Sequence, residues 1–299
     1  MVGWILFTCV TAVFFLVDLI THRKPAQIRV KEALLWSGVW IALALLFNAY
    51  LYVTEGGETA LAFFTGYLVE QSLSVDNLFV FLSIFAFFKT PGILLHRILF
   101  LGVLSAVILR GIFIFLGIAI IQWFSWVYPL LGLLLIVLSI QFFKSKKESF
   151  FSKNNLFLRL CRRFFRMTEE YQGDKFFVRM DRKLYVTPLF IVLIIIELTD
   201  VVFAVDSIPA ILGITRDPLV VYSSNIFAVL SLRSLFFVLA HSLEAFRYLH
   251  YALALILCFI GLKMVFSPLI DLPLLLVCGI VIVILLGSIF FSLLKRRVR

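Results

Sequence analysis

Charge is what this 299-residue chain has least of: Asp, Glu, Lys and Arg make up 15% of it, against 63% hydrophobic residues. Soluble domains average about 25% charged and about 45–50% apolar residues, and their exposed apolar patches are small. A chain this poor in charge has no way to cover a soluble surface. The composition therefore excludes a soluble enzyme, a nucleic-acid binder and a secreted disulfide scaffold. Cysteine is also scarce. The four residues Cys9, Cys161, Cys258 and Cys278 lie far apart, with no CxxC pair and no metal-type spacing, which argues against disulfide exchange or a thiolate metal site. Cys9, Cys258 and Cys278 read as small apolar fillers in helices. No Walker A motif and no DKTG phosphorylation motif is present, so ATP is not the direct energy source. The GxGD motif of intramembrane aspartyl proteases is missing too, and no Cys/His pair suits nucleophilic catalysis. No enzymatic activity is expected.

What fills the chain is apolar runs separated by polar or Pro/Gly punctuation. They give nine spans, near 2–21, 33–53, 60–88, 97–121, 127–143, 187–213, 219–240, 248–266 and 272–294. The first run, MVGWILFTCVTAVFFLVDLI, has no basic residues before it and no small-residue cleavage pattern; its positive charges follow in THRK. It reads as a retained helix with its N-terminus outward. The formal charge of +10 is concentrated in alternate connections. HRKPAQIRVK, KTPGILLHR, HSLEAFRYLH and the tail KRRVR are basic, and the connection near 144–186 holds twelve Lys/Arg against five Asp/Glu. EGGE, QWFSWVYP, ITRDP and SPLIDLP are not basic. The positive-inside rule then places the N-terminus outside and the C-terminus in the cytoplasm. Within the basic connection, KSKKESFFSKNNLFLRLCRRFFRMTEE interleaves apolar residues with arginine at roughly helical spacing. It reads as an interfacial amphipathic helix attracted to anionic headgroups, and no nucleic-acid partner is expected.

Polar residues concentrate where lipid would be. The third span holds Glu70, Gln71, Ser72, Ser74, Asp76 and Asn77 within eight residues, and the sixth holds Glu197, Thr199, Asp200, Asp206 and Ser207. Ionisable groups inside spans cost a few kcal/mol each at the bilayer centre and usually mark ion or substrate paths. At about 100° per residue, Glu70, Ser74 and Asn77 share one stripe, and Glu197, Asp200 and Ser207 fall within about 80° of each other. Pro209 cannot donate to the carbonyl of Val205, so the sixth span is expected to open there and offer free backbone oxygens, as broken transporter helices do.

The two polar spans resemble each other. SVDNLFVFLSI aligns with LTDVVFAVDSI at an offset of 124, pairing Asp76 with Asp200; one span later LRGIFIF aligns with LRSLFFV, pairing Arg110 with Arg233. Asn225 pairs with Gly102 at the same offset as the arginines. Three spans separate the copies, and an odd number inverts the second. The expectation is an all-α membrane protein of about nine transmembrane helices, one polytopic domain over 1–299, with an inverted repeat (about 60–143 and 187–266) and broken helices at the midplane. Five carboxylates against Arg110 and Arg233 leave the spans near −3, which a divalent cation or protons would offset. The ligand types are hard oxygen donors, which suit magnesium, calcium or manganese. Asp18 and Lys263 lie near span ends, where they can snorkel.

The strings GYLVEQSLSVDNLFVF, DVVFAVDSIPAILGITRDPLVVYSSNIFAVLSLRSLFF and FIGLKM closely resemble the TerC/Alx family of bacterial integral membrane proteins, across nearly the whole chain. The family is named for tellurium resistance and associated with manganese efflux and homeostasis, and some members are described as redox modulators. A plant relative is linked to thylakoid membrane-protein insertion. The resemblance implies that the acidic motif residues are Glu70, Asp76, Asn77, Glu197, Asp200 and Asp206. The expected function is manganese export across the cell (inner) membrane by alternating access, with proton exchange as a candidate driving force and no permanently bound cofactor. Ser74, Ser207, Asn225, Arg110 and Arg233 would support the site. The alternative is a factor for membrane-protein assembly or metal homeostasis that transports nothing.

Overall fold

The computed structural model describes residues 2–21, 30–124, 126–144, 167–168, 170–180, 183–239, 249–267, 269 and 272–297. Within the helices, the side chains of 18–21, 76, 79, 83, 141–144, 206, 249–250, 289, 291 and 293–297 lie outside that description. The described residues form nine helices and one hairpin: α1 (Val2–Thr21), α2 (Val30–Thr54), α3 (Gly57–Phe87), α4 (Gly92–Trp123), α5 (Val127–Lys144), β1 (Phe177–Met180), β2 (Lys183–Val186), α6 (Pro188–Leu212), α7 (Pro218–Leu239), α8 (Leu249–Phe266) and α9 (Leu274–Arg297). Every span expected from hydropathy coincides with a helix to within five residues at each end. Five of them, α2, α3, α4, α6 and α7, are long and apolar enough to cross a bilayer. Shorter apolar stretches of α1, α5, α8 and α9 accompany them.

The outward faces follow from helical periodicity. Ile108, Ile112 and Leu116 on α4, Leu133, Val137 and Ile140 on α5, and Leu198, Val202 and Val205 on α6 are all exposed. Each set recurs every three to four residues, which makes one continuous apolar stripe per helix. A water-facing stripe of that kind would be an aggregation hazard; facing hydrocarbon it needs no cover. On α6 the opposite face carries Asp200 and Ser207, both buried. Polar residues inward and apolar residues outward is the arrangement a bilayer imposes.

At the centre stands α7, buried along nearly its whole length from Val220 to Leu239. It packs against α1, α2, α3 and α4, while α4 also packs on α6, and α3 on α6. Its serines survive burial by bonding within the helix: Ser223 donates to the Leu219 carbonyl at 2.6 Å and Ser224 to that of Val220 at 2.6 Å. Beside this core, α5 and α8 run in close contact. Side chains would prevent that approach. A Cβ on Gly132 would sit 2.7 Å from the Gly261 carbonyl oxygen, and one on Gly261 would sit 2.7 Å from that of Gly132. Small residues at helix interfaces let membrane helices approach this closely.

One sequence expectation meets a different outcome. The break expected at Pro209 does not form: α6 is continuous through it, as α3 is throughout its 31 residues. The reason is position. Pro209 lies in the last turn, so only one backbone bond is lost, and its own carbonyl still accepts from the Gly213 amide at 2.9 Å. The basic connection contributes an antiparallel hairpin, with Phe177 opposite Val186 and Met180 opposite Lys183. The interfacial helix expected before it falls largely on 145–166, outside the described residues.

The hairpin joins helix ends. Thr187, at the start of α6, donates through its hydroxyl to the Lys175 carbonyl at 2.7 Å. Tyr171 donates to the Phe88 carbonyl at 3.1 Å, and its hydroxyl lies 3.1 Å from that of Thr90 in the α3–α4 turn. Arg97 of α4 pairs with Asp174 and lies over the Phe176 ring, 5.0 Å from its centroid.

Candidate functional site

Three helices deliver the polar groups to one point. Glu70 faces inward from α3, Asp200 from α6 and Asn225 from α7, and all three surround the guanidinium of Arg110 on α4. Arg110 is fully buried, and Glu70, Asp200 and Asn225 are each under 5% exposed. Arg110 donates to Glu70 through Nη1, grips Asp200 through Nη2 (3.0 Å) and Nε (3.3 Å), and donates to the Asn225 amide oxygen at 3.1 Å. Asn225 returns a bond from Nδ2 to Glu70 Oε2 at 2.9 Å. Each oxygen of both carboxylates therefore has a donor. Arginine suits this role because its planar fork reaches two acids at once and keeps its charge when buried.

The remaining candidates divide into three groups. Arg233 is 6% exposed and borders a cavity of about 20 Å³ together with Asp200, Gly102, Ala106, Ile196 and Phe81. That volume holds roughly one water-sized guest. Glu197, one turn before Asp200 on α6, lies beside the same space: a Cβ on Gly102 would be 3.7 Å from its Oε1. Neither Glu197 oxygen has a hydrogen-bond partner. The neighbouring Ser105 turns its hydroxyl to the carbonyls of Leu101 and Gly102 instead. Ser74, Asn77 and Ser207 are buried, and Ser74 Oγ, Asn77 Nδ2 and Ser207 Oγ have no partner either. The third group is Asp76 and Asp206, whose side chains lie outside the described residues.

Among the described residues no three His, Cys, Asp or Glu side chains come together as a metal cluster. The acids present are instead a pair held by an arginine, with a third carboxylate one turn away. Glu70, Asp200, Arg110 and Asn225, each singled out by its residue type inside an apolar span, come together at one point. Sequence reasoning did not give Gly102 and Ala106 their place as small residues bordering the cavity, and it missed the hydrogen bond from Ser231 to Gln71 at 2.9 Å. Gln71 was visible in the polar run of the third span; nothing in the sequence marked Gly102 as a cavity wall.

Comparison with known proteins also points to a membrane protein. Residues 55–299 match the integral membrane protein TerC family. A Rickettsia bellii protein described as an uncharacterized membrane protein is 39% identical over 297 residues, covering 99% of this chain and 98% of its own length. The putative membrane-bound redox modulator Alx of Escherichia coli K12 is 42% identical over 292 residues, covering 94% of this chain and 91% of its own. A Myxococcus xanthus membrane protein is 41% identical across 92% of this chain and 86% of its own. No solved structure matches.

Proposed function

The chain belongs to the TerC family of integral membrane proteins, and from that premise we propose that this multi-pass protein exports a divalent cation, manganese first, by alternating access. One observation carries the reading. Carboxylates from α3 and α6, which the internal similarity assigns to opposite halves, converge with an amide on one buried cation, the Arg110 guanidinium. A site already shaped around positive charge and built of oxygen donors suits a hard divalent ion. In this reading Glu70, Asp76, Asn77, Glu197, Asp200 and Asp206 supply ligands, Ser74, Ser207 and Asn225 support them, and Arg110 and Arg233 compensate the acids when no ion is bound.

Several packing features support the inverted repeat. Exchanging α3 with α6, α4 with α7 and α5 with α8 turns the α3–α7 contact into the α4–α6 contact, and both exist. The α5–α8 contact maps onto itself, and its two glycines approach reciprocally at equal distance. Support for an outward N-terminus and cytoplasmic C-terminus comes from contacts between connections. Tyr171 joins the third and fifth, both basic, whereas Arg216 lies 4.2 Å from the Tyr128 ring centroid and joins the fourth and sixth, both non-basic. A thiol-based redox role has less behind it, because Cys9, Cys161, Cys258 and Cys278 lie far apart in the sequence with no CxxC pair.

The test is manganese movement in liposomes holding the purified protein. The wild type is expected to move Mn²⁺ down an imposed gradient, and Asp76→Asn or Asp200→Asn to abolish movement while the protein stays folded. Normal transport by both variants would reject the site. A wild type that moves no divalent metal would favour the assembly role.

A further inference from the structure

We infer that Arg110 is a tethered competitor for the cation site, and that Glu197 is the carboxylate that receives its guanidinium when an ion enters. This rests on the reading that the α3 and α6 acids bind a divalent cation. The starting point is occupancy: each oxygen of Glu70 and Asp200 is engaged by Arg110 or Asn225. An ion taking those oxygens would meet the guanidinium's positive charge at contact distance, so the two compete for the same acids. An arginine that leaves must still be neutralised, because an unpaired buried charge is strongly disfavoured.

Glu197 meets that requirement. It lies three residues before Asp200 on the same helix, about 4.5 Å along the axis, and neither of its buried oxygens has a partner. Buried carboxylates are rarely left without donors; a second seat for Arg110 accounts for this one. The route is open. Side chains on a helix lean toward its N-terminus, which for Arg110 is the direction of Ala106 and Gly102. Those two small residues border the cavity beside Asp200, and Gly102 faces Glu197 Oε1. Arg233 borders the same cavity, so a second guanidinium can rest there only against a carboxylate. In the ion-bound state Glu197 then serves the arginine and not the cation, which narrows the proposed ligands to Glu70, Asp76, Asn77, Asp200 and Asp206.

The test is a double-mutant cycle on the purified full-length protein, with Mn²⁺ binding measured by calorimetry. If the site stands open of order 1–10% of the time, Arg110→Gln tightens Mn²⁺ binding by roughly ten- to hundredfold. Glu197→Gln is expected to weaken binding in the otherwise wild-type chain and to leave it unchanged in the Arg110→Gln background. A plain ligand role for Glu197 would weaken binding in both backgrounds, and a purely structural ion pair would leave Arg110→Gln binding no tighter. Either result overturns the inference. Should Arg110→Gln fail to fold, Arg110→Lys keeps the charge but loses the fork; it is expected to tighten binding to a smaller extent, and no tightening rejects the idea. Absence of divalent binding in the wild type and all variants is a separate outcome, which rejects the cation site itself.

Discussion

Arg110 holds two acids from two helices, and its removal leaves both of them buried without a counter-charge. Breaking a buried pair from one side typically costs about 3–5 kcal/mol, whereas exchanging the whole cluster for apolar residues of similar volume is often neutral. Arg110→Leu is therefore expected to lower the detergent-solubilised unfolding midpoint sharply. The triple change Glu70→Leu, Arg110→Leu and Asp200→Leu should recover most of that loss while lacking any metal response. Equal damage in both proteins would mean that packing, not charge, holds the site. Glu70, Asp200 and Arg110 stood out in the sequence by residue type, because a charge inside an apolar span costs too much to persist without a partner or a task. Which acid Arg110 would hold was not legible. That choice depends on how α4 rotates against α3 and α6, and a repeat offset carries no such angle.

Helices were legible because a bilayer demands long apolar runs, and the run ends fall where polar residues begin. The hairpin at 177–186 was not: four-residue strands inside a basic connection leave too short a pattern to separate from loop. Pro209 misled in the other direction, since its helix-breaking effect depends on how many turns follow it, and here there is hardly one. The α5–α8 seam is the element most exposed to a single change. Gly261→Leu would drive a side chain into the Gly132 carbonyl, 2.7 Å from the new Cβ, and backbone cannot yield as a flexible side chain can. The expected result is loss of monodisperse protein on size-exclusion chromatography, with Gly279→Leu, where a Cβ meets open space, as the tolerated control. By contrast Asp174→Ala removes only one solvent-exposed partner of Arg97 and should cost about 0–1 kcal/mol.

Across the whole molecule, the proposed arrangement of two inverted halves rests on the alternation of basic and neutral connections and on the internal similarity. The orientation has its own check. In a cysteine-free background, single cysteines at Gly56 or Arg216 are expected to react with an impermeant thiol reagent from outside the cell. Those at Lys89 or Asp174 should react only after permeabilisation, and the reverse pattern would invert the topology. The central claim is narrower still: a divalent ion binds where the α3 and α6 acids meet. The most direct measurement is electron paramagnetic resonance of Mn²⁺ titrated with purified protein, which reads the loss of the free-ion signal. The wild type should remove manganese from solution saturably, and Glu70→Gln with Asp200→Asn together should not. Equal removal of the signal by both proteins would contradict the account.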